Sequence, residues 1–173
     1  MPLIRPLRAL VFALALAAPV VASAPAAAET VITEGDDPAI AAAVDEARAH
    51  LAQALAAGIG ADGIGHPALT LKVGFPVETG EAASEVIWVS EIRRADDGFA
   101  GKLANDPLYM PGLKAGDPVS FAEAMIADWG LVGAEGRIFG HFTTRVLIDR
   151  LPEAEATAIR AVLTEAPLPA AWQ

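Results

Sequence analysis

Leu69-Thr70-Leu71-Lys72-Val73-Gly74-Phe75 is the stretch that decides the fold. Leu69, Leu71, Val73 and Phe75 alternate with Thr70, Lys72 and Gly74, and a period of two is the mark of a half-buried strand. Immediately upstream the period is different. Ile40, Val44, Ala47, Leu51 and Leu55 recur at helical spacing, with Asp45, Glu46, Arg48 and Gln53 elsewhere on the wheel. Asp36 or Asp37 caps that helix and Pro38 opens it, because proline lacks only a donor that would be orphaned there anyway. Gly58 ends it, and a glycine-rich loop runs to Pro67.

Downstream, Val86-Ile87-Trp88-Val89 reads as a short strand covered on both faces. Asp96-Asp97-Gly98 is hairpin chemistry leading into Phe99 to Leu103. Lys114 to Asp117 reads as a tight turn into Val119 and Phe121, and Ser120 with Glu123 suits a capping box for one helical turn. Trp129 to Val132 and Arg137 to Asp149 read as two strands of a last hairpin around Gly133–Gly136. Pro152 starts a final helix with Ala158, Ile159, Val162 and Leu163 on one face. The order predicts an α+β fold, with an N-terminal and a C-terminal helix packed on a curled, mostly antiparallel sheet or a partly closed barrel.

The first 28 residues read as an export signal. Arg5 and Arg8 precede the uncharged apolar run Ala9 to Ala22, and Ala26-Ala27-Ala28 before Glu29 offers a small-x-small cleavage site. The run is shorter than the roughly 20 residues a bilayer span needs, so no stable membrane anchor is expected after cleavage. The expected organisation is a signal over 1–28, a lead-in over 29–37, one domain over 38–166 and a loose tail over 167–173. The expected location is the periplasm or the outside of the cell.

The signal carries two of the twelve basic residues and none of the 22 acidic ones, so the chain without it has a net charge of −12. Such a chain is repelled by nucleic acid and by anionic lipid head groups. An envelope protein or a small ligand remains as partner. There is no cysteine, so an exported domain holds itself together by packing alone.

Motifs for chemistry are sparse. Gly58-Ile59-Gly60-Ala61-Asp62-Gly63 matches G-x-G-x-x-G, but a helix precedes it and His66-Pro67 follows, the wrong context for a dinucleotide. His50, His66 and His141 lack metal-ligand spacing. No nucleophile motif surrounds Ser84, Ser90 or Ser120. No cofactor is expected. Trp88 reads as core, Trp172 as an exposed tail residue, and Trp129 as a core anchor or the wall of a binding site.

If the last hairpin closes on Gly133–Gly136, facing residues have numbers summing to 269. Trp129 then faces Gly140 on the core side, and Asp128 faces His141 on the other, in line with Thr143 and Arg145. Asp128, Trp129, His141, Thr143 and Arg145 are the candidate binding residues, and an aspartate beside an imidazole predicts a raised His141 pKa. The bland alternative is a solvated ion pair. These features favour a non-enzymatic binding or interaction module of the envelope over a hydrolase using Asp128 and His141 as an acid–base pair.

Leu69 to Leu151 resembles the bacterial family known as domain of unknown function 2314. The resemblance rests on Val86-Ile87-Trp88-Val89, Gly101-Lys102-Leu103-Ala104-Asn105-Asp106-Pro107, Gly112-Leu113-Lys114-Ala115-Gly116-Asp117, Ile126-Ala127-Asp128-Trp129 and Thr144-Arg145-Val146-Leu147, in that order. The sequence departs at Gly130, where a large apolar residue is expected, and at His141-Phe142, where glycine-tyrosine is more usual. The family has no assigned activity, so the resemblance implies a fold and no function.

Overall fold

The computed structural model describes residues 37–78 and 83–173. The export signal and all of the lead-in except Asp37 lie outside the described residues.

Asp37 is the N-cap of helix α1 (Pro38–Ala49), its Oδ1 accepting from Ala39 N at 2.9 Å and Ile40 N at 3.4 Å, with proline in the first turn. The helical stripe does not run unbroken to Gly58, as its spacing predicts. It pauses at His50 and resumes as α2 (Leu51–Gly58). Ala47 O is the acceptor that an unbroken helix offers to Leu51, and Trp129 Nε1 donates to it at 2.9 Å. A side chain inserted into the helical ladder is a recognised cause of such breaks. The apolar face continues across the break, with Ile40, Ala43, Ala47, Leu51, Ala54 and Leu55 buried.

Six strands follow: β1 (Leu69–Pro76), β2 (Ser84–Ala95), β3 (Gly98–Leu103), β4 (Pro118–Phe121), β5 (Ile126–Val132) and β6 (Ile138–Gly140). They form one antiparallel sheet in the order β4-β3-β2-β1-β5-β6. Among the described residues the fold is α+β with four helices on a curled sheet that stays open, so the barrel does not close. Leu69, Leu71 and Val73 of β1 join Ile87, Val89 and Trp129 in a core with α1 and α2.

The Asp96-Asp97 turn forms as read, with Ala95 opposite Gly98, and β2 runs the whole way to it, well beyond Val89. The Ser120–Glu123 capping box does not form. Phe121 is buried against Phe99 and keeps Ser120 in β4, so only the 3-10 turn Glu123–Met125 remains, without a side-chain cap.

The last hairpin needs the largest correction. Leu131 pairs with Phe139 and Gly130 with Gly140, a sum of 270. Gly133 N–H binds Arg137 O at 2.8 Å, leaving the three-residue loop Ala134–Gly136 with Gly136 at φ 75°. Three-residue hairpin loops place a glycine in that left-handed region. An odd loop shifts the register by one, and a one-residue slip moves every side chain to the other face. Asp128 is therefore not opposite His141, nor Trp129 opposite Gly140.

The second strand also ends early. Gly140 and His141 take φ of 77° and 53°, and Phe142–Ile148 is a helix, α3. The final helix, α4 (Glu153–Val162), buries Ala156, with Leu163 just beyond it and Ile159 half-buried, while Ala158 and Val162 are exposed. The C-terminal segment is tied down. Gly140 N–H binds Pro167 O at 2.7 Å, and half-buried Trp172 lies 5.7 Å from the Trp129 ring. Among the described residues no helix is long and apolar enough to cross a membrane.

Candidate functional site

Cross-strand partners point to the same side of a sheet, so Trp88, Lys72 and Asp128 form a row across β2, β1 and β5. This is the face opposite the core, yet Lys72 and Asp128 are only 2% and 1% exposed. A buried charge is tolerable only when hydrogen-bonded or paired, and the row meets that condition. Asp128 Oδ1 accepts from Trp129 N at 2.8 Å, and Oδ2 from Thr143 N at 2.8 Å and Thr143 Oγ1 at 2.7 Å. Lys72 Nζ donates to Thr143 Oγ1 at 3.1 Å, so one hydroxyl links ammonium to carboxylate. Thr143 reaches Asp128 because it lies in the first turn of α3, where its N–H has no helical partner and a carboxylate is favoured.

His141 covers the other end of the row. Its ring stacks on Trp88 with centroids 4.2 Å apart and planes 19° apart, while Lys72 Nζ lies 5.7 Å from the Trp88 ring. His141 Nδ1 lies 3.3 Å from Thr144 Oγ1 and its backbone N–H binds Trp129 O at 2.8 Å. A non-glycine residue in the left-handed region stores strain, which the surrounding packing must hold. The imidazole lies over Gly130, where an added Cβ would come within 2.6 Å of Nε2 and 2.7 Å of Thr70 Oγ1. Gly130 and His141 thus meet in space, one small and one large.

Electrostatics follow from this packing. Burial pushes the Asp128 carboxyl up, against the pull of Thr143, the Trp129 amide and Lys72. Burial, with the charges of Lys72 and Arg145, lowers the His141 pKa from 6.5 to about 3. The expected rise is therefore reversed, since burial disfavours the imidazolium, its charged neighbours are cations, and among the described residues no carboxylate pairs with it.

Of the five candidate residues, Asp128 and Thr143 are directly bonded, and His141 adjoins them across Trp88 and Lys72. Trp129 is fully buried and is a core anchor. Arg145 turns away. Its Nε donates to Gly140 O and Nη1 to Thr164 O, both at 2.8 Å, with Nη2 on Thr164 Oγ1 at 3.1 Å. The sequence reading missed Lys72 and Trp88 as members of the row. Val86-Ile87-Trp88-Val89 had signalled a strand covered on both faces, and that cover extends to the neighbouring polar position of β1.

Elsewhere the glycine-rich segment is a tight loop, with Gly60 N–H bonded to Ile64 O and Ile59 bridged to Gly65. A helix precedes it and β1 follows, the reverse of the order that aims helix amides at a pyrophosphate. Among the described residues no three His, Cys, Asp or Glu residues gather as a metal site.

The uncharacterised protein YegJ of Escherichia coli (strain K12) is 27% identical over 94 residues, which make up 54% of this chain and 60% of that protein. The chain thus matches less than two thirds of its relative's length. No solved structure matches significantly. The family described as an uncharacterised protein conserved in bacteria, DUF2314, matches residues 37–162, which takes in both helical ends and the whole sheet, and the chain belongs to that family.

Proposed function

We propose that the chain is exported and works in the cell envelope as a non-enzymatic binding module. Its contact face is the half-buried Trp88–His141 pair on the polar side of the sheet. The observation that carries this reading is the use of Asp128. Among the described residues the three hydrogen bonds of its carboxylate run to Trp129 and Thr143, and it has almost no exposed surface. A general acid or base must reach a substrate proton. Here the carboxylate is turned inward, and no hydrogen bond or ion pair joins Asp128 to His141 among the described residues. The hydrolase alternative loses its acid–base pair, and the row acts as a scaffold. What the scaffold presents outward is an aromatic pair, and aromatic rings give large contact area at low entropic cost. The partner is an envelope protein or a small ligand.

The test compares the mature chain with Trp88→Ala in cross-linking within an envelope fraction. A cross-linked partner or retained ligand should be lost in the variant, while a single cooperative melting transition remains at a lower temperature. Retention by Trp88→Ala overturns the face. Intact mass of the envelope form tests export: a chain starting at Glu29 is expected, and one starting at Met1 or Pro25 refutes cleavage after Ala28.

A further inference from the structure

Away from the aromatic pair, a cavity of about 400 Å3 opens between β6, α3 and the end of α4. Three arginines from three parts of the chain line it: Arg137 just before β6, Arg145 in α3 and Arg160 in α4. A quarter of the twelve basic residues of an acidic chain therefore gather on one hollow. Arg145, the half-buried one, is held by neutral oxygens alone, those of Gly140 and Thr164 at its short contacts. Among the described residues no carboxylate lies within ion-pair distance of it. The same holds for Arg137, whose Nη2 donates to Arg160 O at 3.3 Å, at the helix end. Arg160 is paired with Asp149 at 3.1 Å and Glu153 at 3.4 Å, and both acidic side chains are largely exposed. Burial and the charge of Arg137 both weigh against the Arg145 cation, with Asp128 favouring it.

We propose that this hollow is an oxyanion site that takes a phosphate-type group, against Arg137 and Arg160, with the fixed charge of Arg145 behind them. Guanidinium forks match the oxygen spacing of such groups. Arg145 has its donors committed, so it contributes charge and holds the wall in place, while exposed Arg137 and Arg160 supply contacts. Glu165 lines the same hollow and opposes the anion. Binding is therefore weak and sensitive to salt. The net negative charge of the chain opposes approach to an anionic membrane, so the expected source is a soluble phosphate rather than a lipid head group.

Inorganic phosphate, titrated into the mature chain at fixed ionic strength, should raise the melting temperature along a saturating curve that chloride does not reproduce. The double variant Arg137→Gln/Arg160→Gln should weaken that response on the order of tenfold. Both residues are exposed, so the variant is expected to fold. Glu165→Gln should tighten the response. In a second arm, vesicles of phosphatidic acid in phosphatidylcholine should fail to sediment the chain. Sedimentation that is lost in the double variant would keep the oxyanion site but make its source a head group. A melting response shared with chloride, or unchanged in the double variant, overturns the proposal.

Discussion

Leu71 and Lys72 are neighbours in β1, point to opposite faces of the sheet and are almost equally dry, at 0% and 2% exposure. Leu71 is buried among Val89, Trp129 and the helices α1 and α2. Lys72 is buried among Trp88, Asp128 and Thr143, where each contact is directional. Apolar packing depends on volume, so it tolerates exchange among side chains of similar size. The polar row depends on donors meeting acceptors, and a single deletion leaves buried groups unmatched. One strand thus carries two modes of burial with different tolerances.

The largest effect is expected where the polar mode is broken. Asp128→Ala removes the common acceptor of the Trp129 amide, the Thr143 amide and the Thr143 hydroxyl. It should cost about 3–5 kcal/mol in denaturant unfolding, as breaking a buried charge network does. Asp128→Asn keeps the shape and should recover part of that. If Asp128→Ala unfolds within 1 kcal/mol of the parent, the row is not a structural unit.

Leu71→Ala, one position from Lys72 on the other face, should cost about 2–5 kcal/mol, by lost burial and the cavity left behind. The two faces should then separate on conservative exchange. Leu71→Met should cost less than about 1.5 kcal/mol, whereas Lys72→Met should cost more, although it is the closer match in length. Equal tolerance at both positions would erase the distinction.

The apolar face was legible and the polar one was not, for a physical reason. Alternation in residues 69–75 and helical spacing in 40–55 both record which side chains avoid water, so strand, helices and core follow from them. Asp128, Thr143 and Lys72 carry no such record, because a polar residue buried by hydrogen bonds looks the same in sequence as a solvated one. The register error compounded this. Both an Ala134-Glu135 tip and a four-residue Gly133–Gly136 loop give pairs summing to 269, whereas closure at Gly133 and Arg137 leaves three residues and shifts the pairing. Phe142-Thr143-Thr144-Arg145-Val146 suits a strand by its β-branched content, but Gly140 and His141 turn the backbone left-handed and α3 begins. Asp128 and Thr143 do meet, but through a helix start instead of a strand.

The contact between Gly130 and His141 is a smaller and more local test. Gly130→Ala places a Cβ against the imidazole and the Thr70 hydroxyl, and should cost about 1–3 kcal/mol. His141→Gly removes the ring and tolerates the left-handed backbone. In the double variant part of the loss should return, with a coupling of about 0.5–3 kcal/mol. Strict additivity would mean that the two residues do not share the space.

The smallest effect, and the one that separates His141 from Asp128, is in pH. The His141 pKa falls from 6.5 to about 3 on folding, so the unfolded chain binds the proton more readily between those values. Stability from this group is complete above pH 6.5 and is lost as pH falls toward 3, by at most about 1.4 kcal/mol per pH unit. Asp128 acts in the opposite sense. Its pKa is raised on folding, so the folded state holds the proton more tightly, and the group lowers stability as pH rises above 3.8 through its folded pKa. The two contributions oppose one another in acid, and the parent curve alone does not divide them. His141→Asn removes the imidazole and keeps a side chain that accepts φ 53°. Denaturant midpoints at pH 7, 6 and 5 should fall less steeply in His141→Asn than in the parent, with a difference of about 1 kcal/mol across each unit below 6.5. Matching slopes would mean that His141 titrates as it does in the unfolded chain, and that its stack on Trp88 gives no shelter from solvent.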